Sequence, residues 1–471
     1  MLLERYYDET LAQASYLIAC EATGDAIVID PNMVEGHEAT LSSRRLRVRY
    51  VTETHIHADY LSGSRHLAKA HKAELLLSSH GGADWSYAGT AGNTVRQLRD
   101  GDSIKVGNIR LDVLHTPGHT PEHICFLVTD TPASDKPMGL VSGDFLFVGD
   151  VGRPDLLERA AHVAGTMEQS ARDLYRSLQR LKELPDYLQV WPGHGAGSAC
   201  GKSLGSLPQT TLGYERLYNP ALTPRSENEF VAWVLDDQPE PPRYFARMKR
   251  LNRDGAPEAN RTAPPPRSAE AIESLLAEGG QVVDVRPARE FAKRHVAGTI
   301  SIPYSKTFVT YAGTVLDSDR PLVVIGQRPD QAARITRGLA LIGVAPDYGE
   351  PRVVESIASR GRRPMGSVPT IDAAALGDQL ARNSTTLIDV RGRSEWRQGH
   401  LVAATHIFLG DLVARASMPR NSRIVVQCQS GARSSIGASL LLREGFTDVT
   451  NFTGGFEAWE QAGLPVLRDD Q

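Results

Sequence analysis

A chain of 471 residues, 41% apolar and 23% charged, has the make-up of an ordinary globular protein with room for about three domains of ~150 residues. Its formal net charge of −4 gives no basic field for phosphate backbones, which excludes nucleic acid as an expected partner. No apolar run reaches the ~20 residues needed to cross a bilayer, and the opening Met1 to Glu9 has no signal-peptide pattern, so a soluble, cytoplasmic protein without a membrane partner is expected. Cys20, Cys125, Cys200 and Cys428 are too widely spaced for a compact disulfide framework and read as free thiols.

In chain order, Arg47 to Thr52 alternates like a half-buried strand and runs into His55-Ile-His57-Ala-Asp59-Tyr60, after which Leu61 to Lys72 can form a helix. Strand-like text at Ile109 to Leu114 leads to His119 in Thr-Pro-Gly-His-Thr. The segment beginning Gly139-Leu-Val-Ser leads to Asp144, and Tyr187 to Trp191 leads to His194 in Trp-Pro-Gly-His-Gly. Each candidate ligand thus stands at a strand end, where a rigid sheet gathers side chains from distant sequence. Eleven of the fourteen histidines lie at or before His194, which marks this portion as metal-bearing. Imidazole and carboxylate suit a borderline divalent transition metal, and two histidines with one carboxylate leave coordination positions open on non-haem Fe(II).

Residues 1–250 form the expected first domain, and 251–267, with Pro264, Pro265 and Pro266, read as a linker. Two further domains, 268–362 and 368–471, follow from an internal repeat. Asp284, Arg286, Glu290 and His295 lie 105 positions before Asp389, Arg391, Glu395 and His400. Each copy alternates helix-like and short buried strand text, as in a parallel α/β sheet. Arg423 to Gln427 runs directly into Cys428, and Ser434 to Arg443 reads as a helix ended by Gly445. Matching the strands at an offset of 102 sets Gly326 opposite Cys428, so the first copy lacks the thiol.

A thiolate is the useful nucleophile, and a loop between strand and helix lowers a thiol pKa by directing backbone N–H groups at it. Cys428 in Cys-Gln-Ser-Gly-Ala-Arg433 has that setting. Arg433 can add positive charge or bind an anion, and Gly431 allows a tight cradle. Among the other histidines, His66, His71 and His80 read as surface groups, while His115 and His123 suit hydrogen bonding around the metal ligands. Cys20 and Cys125 read as core. Cys200, just beyond His194, reads either as a sulfur acceptor reaching the metal pocket or as an inert buried thiol.

Residues 1 to about 240 resemble the metallo-β-lactamase superfamily through the His-x-His-x-Asp stretch, where Tyr60 replaces the usual final histidine, and specifically its persulfide dioxygenase branch. The resemblance implies an αββα sandwich and one Fe(II) per chain, with zinc the alternative, held by His55, His119 and Asp144. His57, Asp59, Tyr60 and His194 become groups that support the ligands or face substrate. A phenol is a poor substitute for imidazole on zinc, so Tyr60 weakens a complete second metal site. Gly152-Arg-Pro-Asp155 matches a stretch near the family's active site. There Arg153 either holds an anionic thiol or pairs with Asp155 to pin a turn.

Residues 368–471 resemble the rhodanese sulfurtransferases through Asp389-Val-Arg391, His400, the Cys428 loop and Gly454-Gly-Phe-Glu-Ala-Trp459. Residues 268–362 resemble an inactive rhodanese domain. The recurrence of the Asp-Val-Arg pair and of the histidine in the copy without cysteine makes these groups structural. The whole resembles persulfide dioxygenase-rhodanese fusions. This implies an α/β multidomain enzyme that takes a low-molecular-weight persulfide such as glutathione persulfide and O2, yields sulfite and thiol, and exchanges sulfane sulfur with thiosulfate through Cys428. The inactive domain invites a homo-oligomer. The competing readings are a zinc thioester hydrolase of the hydroxyacylglutathione type and a non-oxidising sulfur relay.

Overall fold

The structure is a computed structural model that describes residues 1–32, 34–159, 165–223, 225–257, 264–382 and 384–468. The chain divides into two compact units, Met1–Ala259 with Leu341–Gly343, and Asn260–Ala340 with Val344–Gln471. Among the described residues no helix is long and apolar enough to cross a membrane.

The first unit holds two six-stranded sheets face to face with helices on both outer sides. One sheet takes Leu2–Asp8 (β1), Gln13–Cys20 (β2), Asp25–Ile29 (β3), Arg47–Thr52 (β4), Glu74–Ser78 (β5) and Thr94–Leu98 (β6) in that order. The other contains Ser103–Val106 (β7), Ile109–His115 (β8), Ile124–Asp130 (β9), Gly139–Gly143 (β10), Gln189–Pro192 (β11) and Thr210–Thr211 (β12), also as consecutive neighbours. Strand periodicity sorts the core. In β2, buried throughout, Ala14, Tyr16 and Ile18 join the layer between the sheets with Phe126, Val128 and Trp191, whereas Leu17 and Ala19 join an outer layer with Leu41, Leu67 and Ala68. Cys125 and Leu127 face outward from β9 onto Leu174 and Leu178 of helix Met167–Arg180. This is the αββα sandwich implied by the sequence, and Cys20 and Cys125 lie in its core strands.

Two differences from the sequence expectations have clear physical causes. The helix after the His-x-His stretch is shorter, Ser64–His71, because Gly63 caps it and Lys72 turns left-handed at its end. The stretch from 251 is not all linker: helix Phe245–Asp254 continues into it, and Asn252 on that helix is fully buried. The middle of the expected linker, 258–263, lies outside the described residues.

The second unit contains two parallel sheets. The first runs Ile300–Ser301, Gln281–Asp284, Leu322–Ile325, Asp347–Tyr348, and the second Thr370–Ile371, Asp448–Phe452, Arg423–Gln427, Thr386–Asp389, Ala404–His406. These two rhodanese-like domains pack into one unit. The Ser301 amide donates to Ser439 Oγ at 2.9 Å, and Arg443 donates to the carbonyls of Gly279 and Gly280 at 3.0 and 3.2 Å. Asp284 pairs with Ile325 in the first ladder and Asp389 with Gln427 in the second, so the next residues, Gly326 and Cys428, occupy equivalent places.

Candidate metal centre and cysteine loop

The hydrogen bonds of three imidazoles decide which nitrogen each presents to the centre. His119 Nδ1 lies 3.0 Å from the Arg153 carbonyl and His194 Nδ1 lies 3.1 Å from the Ala12 carbonyl. A carbonyl only accepts, so both rings carry their proton on Nδ1. Thr54 Oγ1 donates to Asp30 Oδ2 at 2.8 Å and therefore accepts from His55 Nδ1 at 3.0 Å. All three rings then turn an Nε2 lone pair inward, the state a metal requires. Asp144 Oδ2 lies 3.4 Å from His119 Nε2, 3.5 Å from His194 Nε2 and 3.9 Å from His55 Nε2.

Every member of this cluster is at least 95% buried. Neither carboxylate oxygen of Asp144 or of Asp59 has a hydrogen-bond partner. Bare carboxylate oxygens and inward lone pairs in a dry site are unfavourable unless a cation lies between them, so the residues fit a metal. Ligand atoms of His55, His119 and Asp144 lie within 4.8 Å of one another, and a second trio, Asp59, His194 and Cys200, meets the same limit. Burial together with His57, His119, His123 and His194 presses His55 well below its usual pKa, which favours the neutral ligand form. Burial, then the charges of Asp59 and Asp144, push the Cys200 thiol well up.

Two motif residues bond to Asp30, although the His57 ring stays beside that of His55, centroids 4.1 Å apart, with a buried Nδ1 that has no partner. His57 Nε2 meets Asp30 Oδ1 at 3.0 Å, and although burial opposes a charge, Asp30 outweighs it and lifts this imidazole to about 9. The Tyr60 phenol, fully buried, donates to the Asp30 carbonyl at 3.2 Å, with its ring 4.4 Å from that of His57. Arg153 is fully buried. Its guanidinium grips Asp155 with two bonds of 2.8 Å and donates to the Ala199 carbonyl, while its own carbonyl orients His119. His123 accepts the Asp144 amide at Nε2 and donates from Nδ1 to Thr116, which fixes the backbone of the candidate carboxylate ligand.

Three supporting residues went unnoticed in the sequence. Asp30, left-handed at φ 53° just after β3, also accepts the Thr54 amide at 2.7 Å. Glu122 accepts the Ile56 amide at 2.7 Å, and burial raises its carboxyl to about 7. Asn252 donates to the carbonyls of His57 and Tyr60 at 2.7 and 2.6 Å and accepts the Ser62 amide at 2.9 Å.

In the last domain Cys428 follows the central strand directly and is 1% exposed. The Gly431 amide lies 3.1 Å from its Sγ and Ser434 Oγ 3.5 Å, at the start of helix Ala432–Arg443. Arg433 is held by Glu395 at 2.5 and 2.6 Å, so its charge is matched, and the Gly431 amide is the backbone donor that meets the sulfur. Gly455 has φ +57°, and a Cβ there would lie 2.2 Å from the Cys428 carbonyl, so only glycine lets the Gly-Gly turn close over the loop. The repeated pairs are structural. Arg286 binds Asp284 and Arg391 binds Asp389 bidentately, and His295 and His400 stack on Phe291 and Trp396 with ring centroids 4.0 and 3.7 Å apart.

Sequence profiles match this arrangement: residues 9–194 match the metallo-beta-lactamase superfamily, and 268–353 and 372–462 each match a rhodanese-like domain. A hydroxyacylglutathione hydrolase of Polaromonas sp. (strain JS666) is 30% identical over 289 residues, 53% of this chain and 98% of that protein. The mitochondrial persulfide dioxygenase ETHE1 of Bos taurus is 27% identical over 242 residues, covering 50% of this chain and 81% of the relative. The crystal structure of a metallo-beta-lactamase from Staphylococcus aureus subsp. aureus COL superposes with a TM-score of 0.66 at 39% identity, over 74% of this chain and 98% of that one. With its Nε2 and carboxylate cluster at the strand ends of an αββα sandwich, the chain belongs to the metallo-beta-lactamase superfamily and carries two rhodanese-like domains behind that fold.

Proposed function

We propose that the first domain is a persulfide dioxygenase with one Fe(II) held by His55, His119 and Asp144, and that the last domain is a sulfurtransferase working through Cys428. The observation that carries this reading is the commitment of the motif's last position, where Tyr60 gives its phenol to the Asp30 carbonyl. His55, His119 and Asp144 bring their ligand atoms within 4.8 Å of one another, a two-histidine, one-carboxylate set that leaves coordination positions open on an iron. When bound, such an iron supplies the activation of O2 that a closed-shell metal does not.

The net reaction consumes RSSH, O2 and H2O and yields RSH, sulfite and two protons. This chain's residues hold the reacting sulfur in a dry pocket and orient the ligands through Thr54, Arg153 and His123. Asp59 and His194, 3.3 Å apart, take up released protons. Cys200 lines the same pocket and contacts the substrate sulfur. In the second step the Cys428 thiolate takes the outer sulfur of a persulfide and releases RS⁻, and the resulting Cys428 persulfide gives that sulfur to sulfite as thiosulfate. The Gly431 amide and the Ser434 hydroxyl hold the sulfur before and after transfer. Arg433, its charge matched by Glu395, ties the loop to the helix Arg393–Gln398.

Asp59, His194 and Cys200 supply one observation for a second reading, a dinuclear zinc thioester hydrolase with Cys200 in place of the missing histidine. Oxygen uptake by anaerobically prepared, Fe(II)-loaded protein with glutathione persulfide separates the two. The dioxygenase reading expects uptake with sulfite formation, lost in His119→Ala, while Cys428→Ser keeps the uptake and loses thiosulfate. Hydrolysis of a glutathione thioester without uptake refutes it.

A further inference from the structure

Helix Leu212–Tyr218, which follows the edge strand β12 of the first unit, carries an apolar face turned to solvent. Tyr214, Leu217 and Tyr218 fall at positions i, i+3 and i+4 and therefore share one side, where they are 50, 75 and 66% exposed. The two phenol rings pack together with centroids 4.7 Å apart. Tyr187, 56% exposed, adjoins them, because the Gly213 amide donates to the Asp186 carbonyl at 2.9 Å and Arg216 pairs with the Asp186 carboxylate.

The opposite side of the helix is anchored. Leu212 and Glu215 are fully buried. Glu215 accepts the Gly149 amide at 2.9 Å and the Asn219 side-chain amide at 2.8 Å, and Asn219 donates onward to the Asp150 carbonyl at 3.0 Å. Seven residues are too few for a helix to stand alone in water, where ~12–15 are needed, so these inner contacts hold it and present the outer face rigidly. Polar residues on that outer face would serve the fold equally well, since exposed positions change stability by only about 0.5 kcal/mol.

The size of the face points to its occupant. At ~200 Å² for each large side chain, the four expose roughly 500 Å². That lies high in the ~300–600 Å² range of the largest apolar patch on a monomer. It is also close to ~65% of the ~800 Å² that one partner brings to a standard interface, the apolar share found between identical subunits. Lys182 and Arg216 border the face together with Glu183 and Asp186, since Arg216 donates to the Leu181 and Leu184 carbonyls and pairs with Asp186. Their charges cancel, so the rim offers each sign a partner on its own copy without net repulsion. We propose that this face joins a second copy of the chain across a two-fold axis, with Leu217 of each copy seated against the Tyr214 and Tyr218 pair of the other.

Sedimentation velocity of the full chain at micromolar concentration tests this. The wild type sediments as an even number of chains. Leu217→Glu halves that mass and weakens self-association by at least ~30-fold, the effect of losing a central contact, while Leu217→Met keeps both. Circular dichroism verifies that each variant is folded. A second readout locates the contact: the four native cysteines are buried, so Leu217→Cys supplies an exposed thiol that a short bis-maleimide links into a two-chain species. A wild type that sediments as one chain, a mass unchanged in Leu217→Glu, or a Leu217→Cys protein that the reagent leaves as single chains overturns the proposal. The first of these outcomes assigns the face to a different partner. Mass and cross-linking are read without turnover, so neither depends on the chemistry of the metal centre.

Discussion

Replacing Asp30 with alanine removes the most connected support of the centre. Its carboxylate accepts the Thr54 amide at 2.7 Å, the Thr54 hydroxyl at 2.8 Å and His57 Nε2 at 3.0 Å, and it is 2% exposed. Hydrogen bonds to a charged acceptor contribute about 1.5–3 kcal/mol each, and breaking a buried ion pair by removing one partner costs about 3–5 kcal/mol. The three bonds share one acceptor and do not add fully, so Asp30→Ala destabilises the first unit by about 4 kcal/mol. The Thr54 hydroxyl, no longer held by Asp30, loses its grip on His55 Nδ1, and metal affinity falls by about 10–100-fold, the usual effect of losing a ligand's hydrogen-bonded support. Scanning calorimetry of the full chain, with the metal-responsive transition assigned to the first unit, measures the first effect, and chelator competition measures the second. Glu38→Ala, which removes an exposed partner of His71, is the control and costs less than about 1 kcal/mol. An Asp30→Ala protein within about 1 kcal/mol of wild type and with unchanged metal affinity refutes the supporting network.

Other consequences follow from single contacts. Tyr60→Phe removes one buried hydrogen bond and costs about 1 kcal/mol, with metal content unchanged by elemental analysis. Glu122 is raised from 4.5 to about 7 in the folded protein. Its contribution is therefore fully present below pH 4.5 and lost as pH rises through about 7, a change of about 3 kcal/mol that Glu122→Gln flattens in urea titrations of metal-free protein. Gly326→Cys does not create a second persulfide site: Gly326 has φ +76°, and a Cβ there meets Arg286 Cγ at 2.6 Å. The variant melts lower, and with Cys428→Ser it takes up no sulfur from labelled thiosulfate. Arg391→Ala leaves Asp389 buried and unpaired and frees Gln429 in the Cys428 loop, costing about 3–5 kcal/mol and cutting sulfur transfer measured by thiosulfate turnover.

The αββα sandwich and the rhodanese-like repeats were legible because strand periodicity and the recurring Asp-Val-Arg text are local signals. His119, Asp144 and His194 were legible for the same reason, each standing in a short Gly- or Pro-marked turn after a strand, and His55 through the His-x-His-x-Asp spacing. Asp30 was not. Ile29-Asp-Pro-Asn32 reads as a simple turn, and its role appears only when β3 pairs with β4 and Ile29 comes opposite Thr52, two residues from Thr54. Asn252 was hidden differently, because its partners His57 and Tyr60 lie about 190 positions away and the prolines that follow suggest a linker too early. The packing of the two rhodanese-like halves into one unit depends on Ser439 and Arg443 meeting loop and strand backbone of the other half, contacts that leave no mark in composition.

The central claim, a single-iron oxidising centre, is tested most directly by rebuilding metal-free protein with Fe(II) or Zn(II) and assaying each form with glutathione persulfide and with a glutathione thioester. The account predicts saturation at one Fe(II) per chain, one O2 consumed per sulfite formed, no uptake with zinc and no thioester cleavage by either form. Two zinc ions per chain with thioester hydrolysis, and no oxygen uptake by the iron form, would contradict it and make Asp59, His194 and Cys200 the second half of a hydrolase.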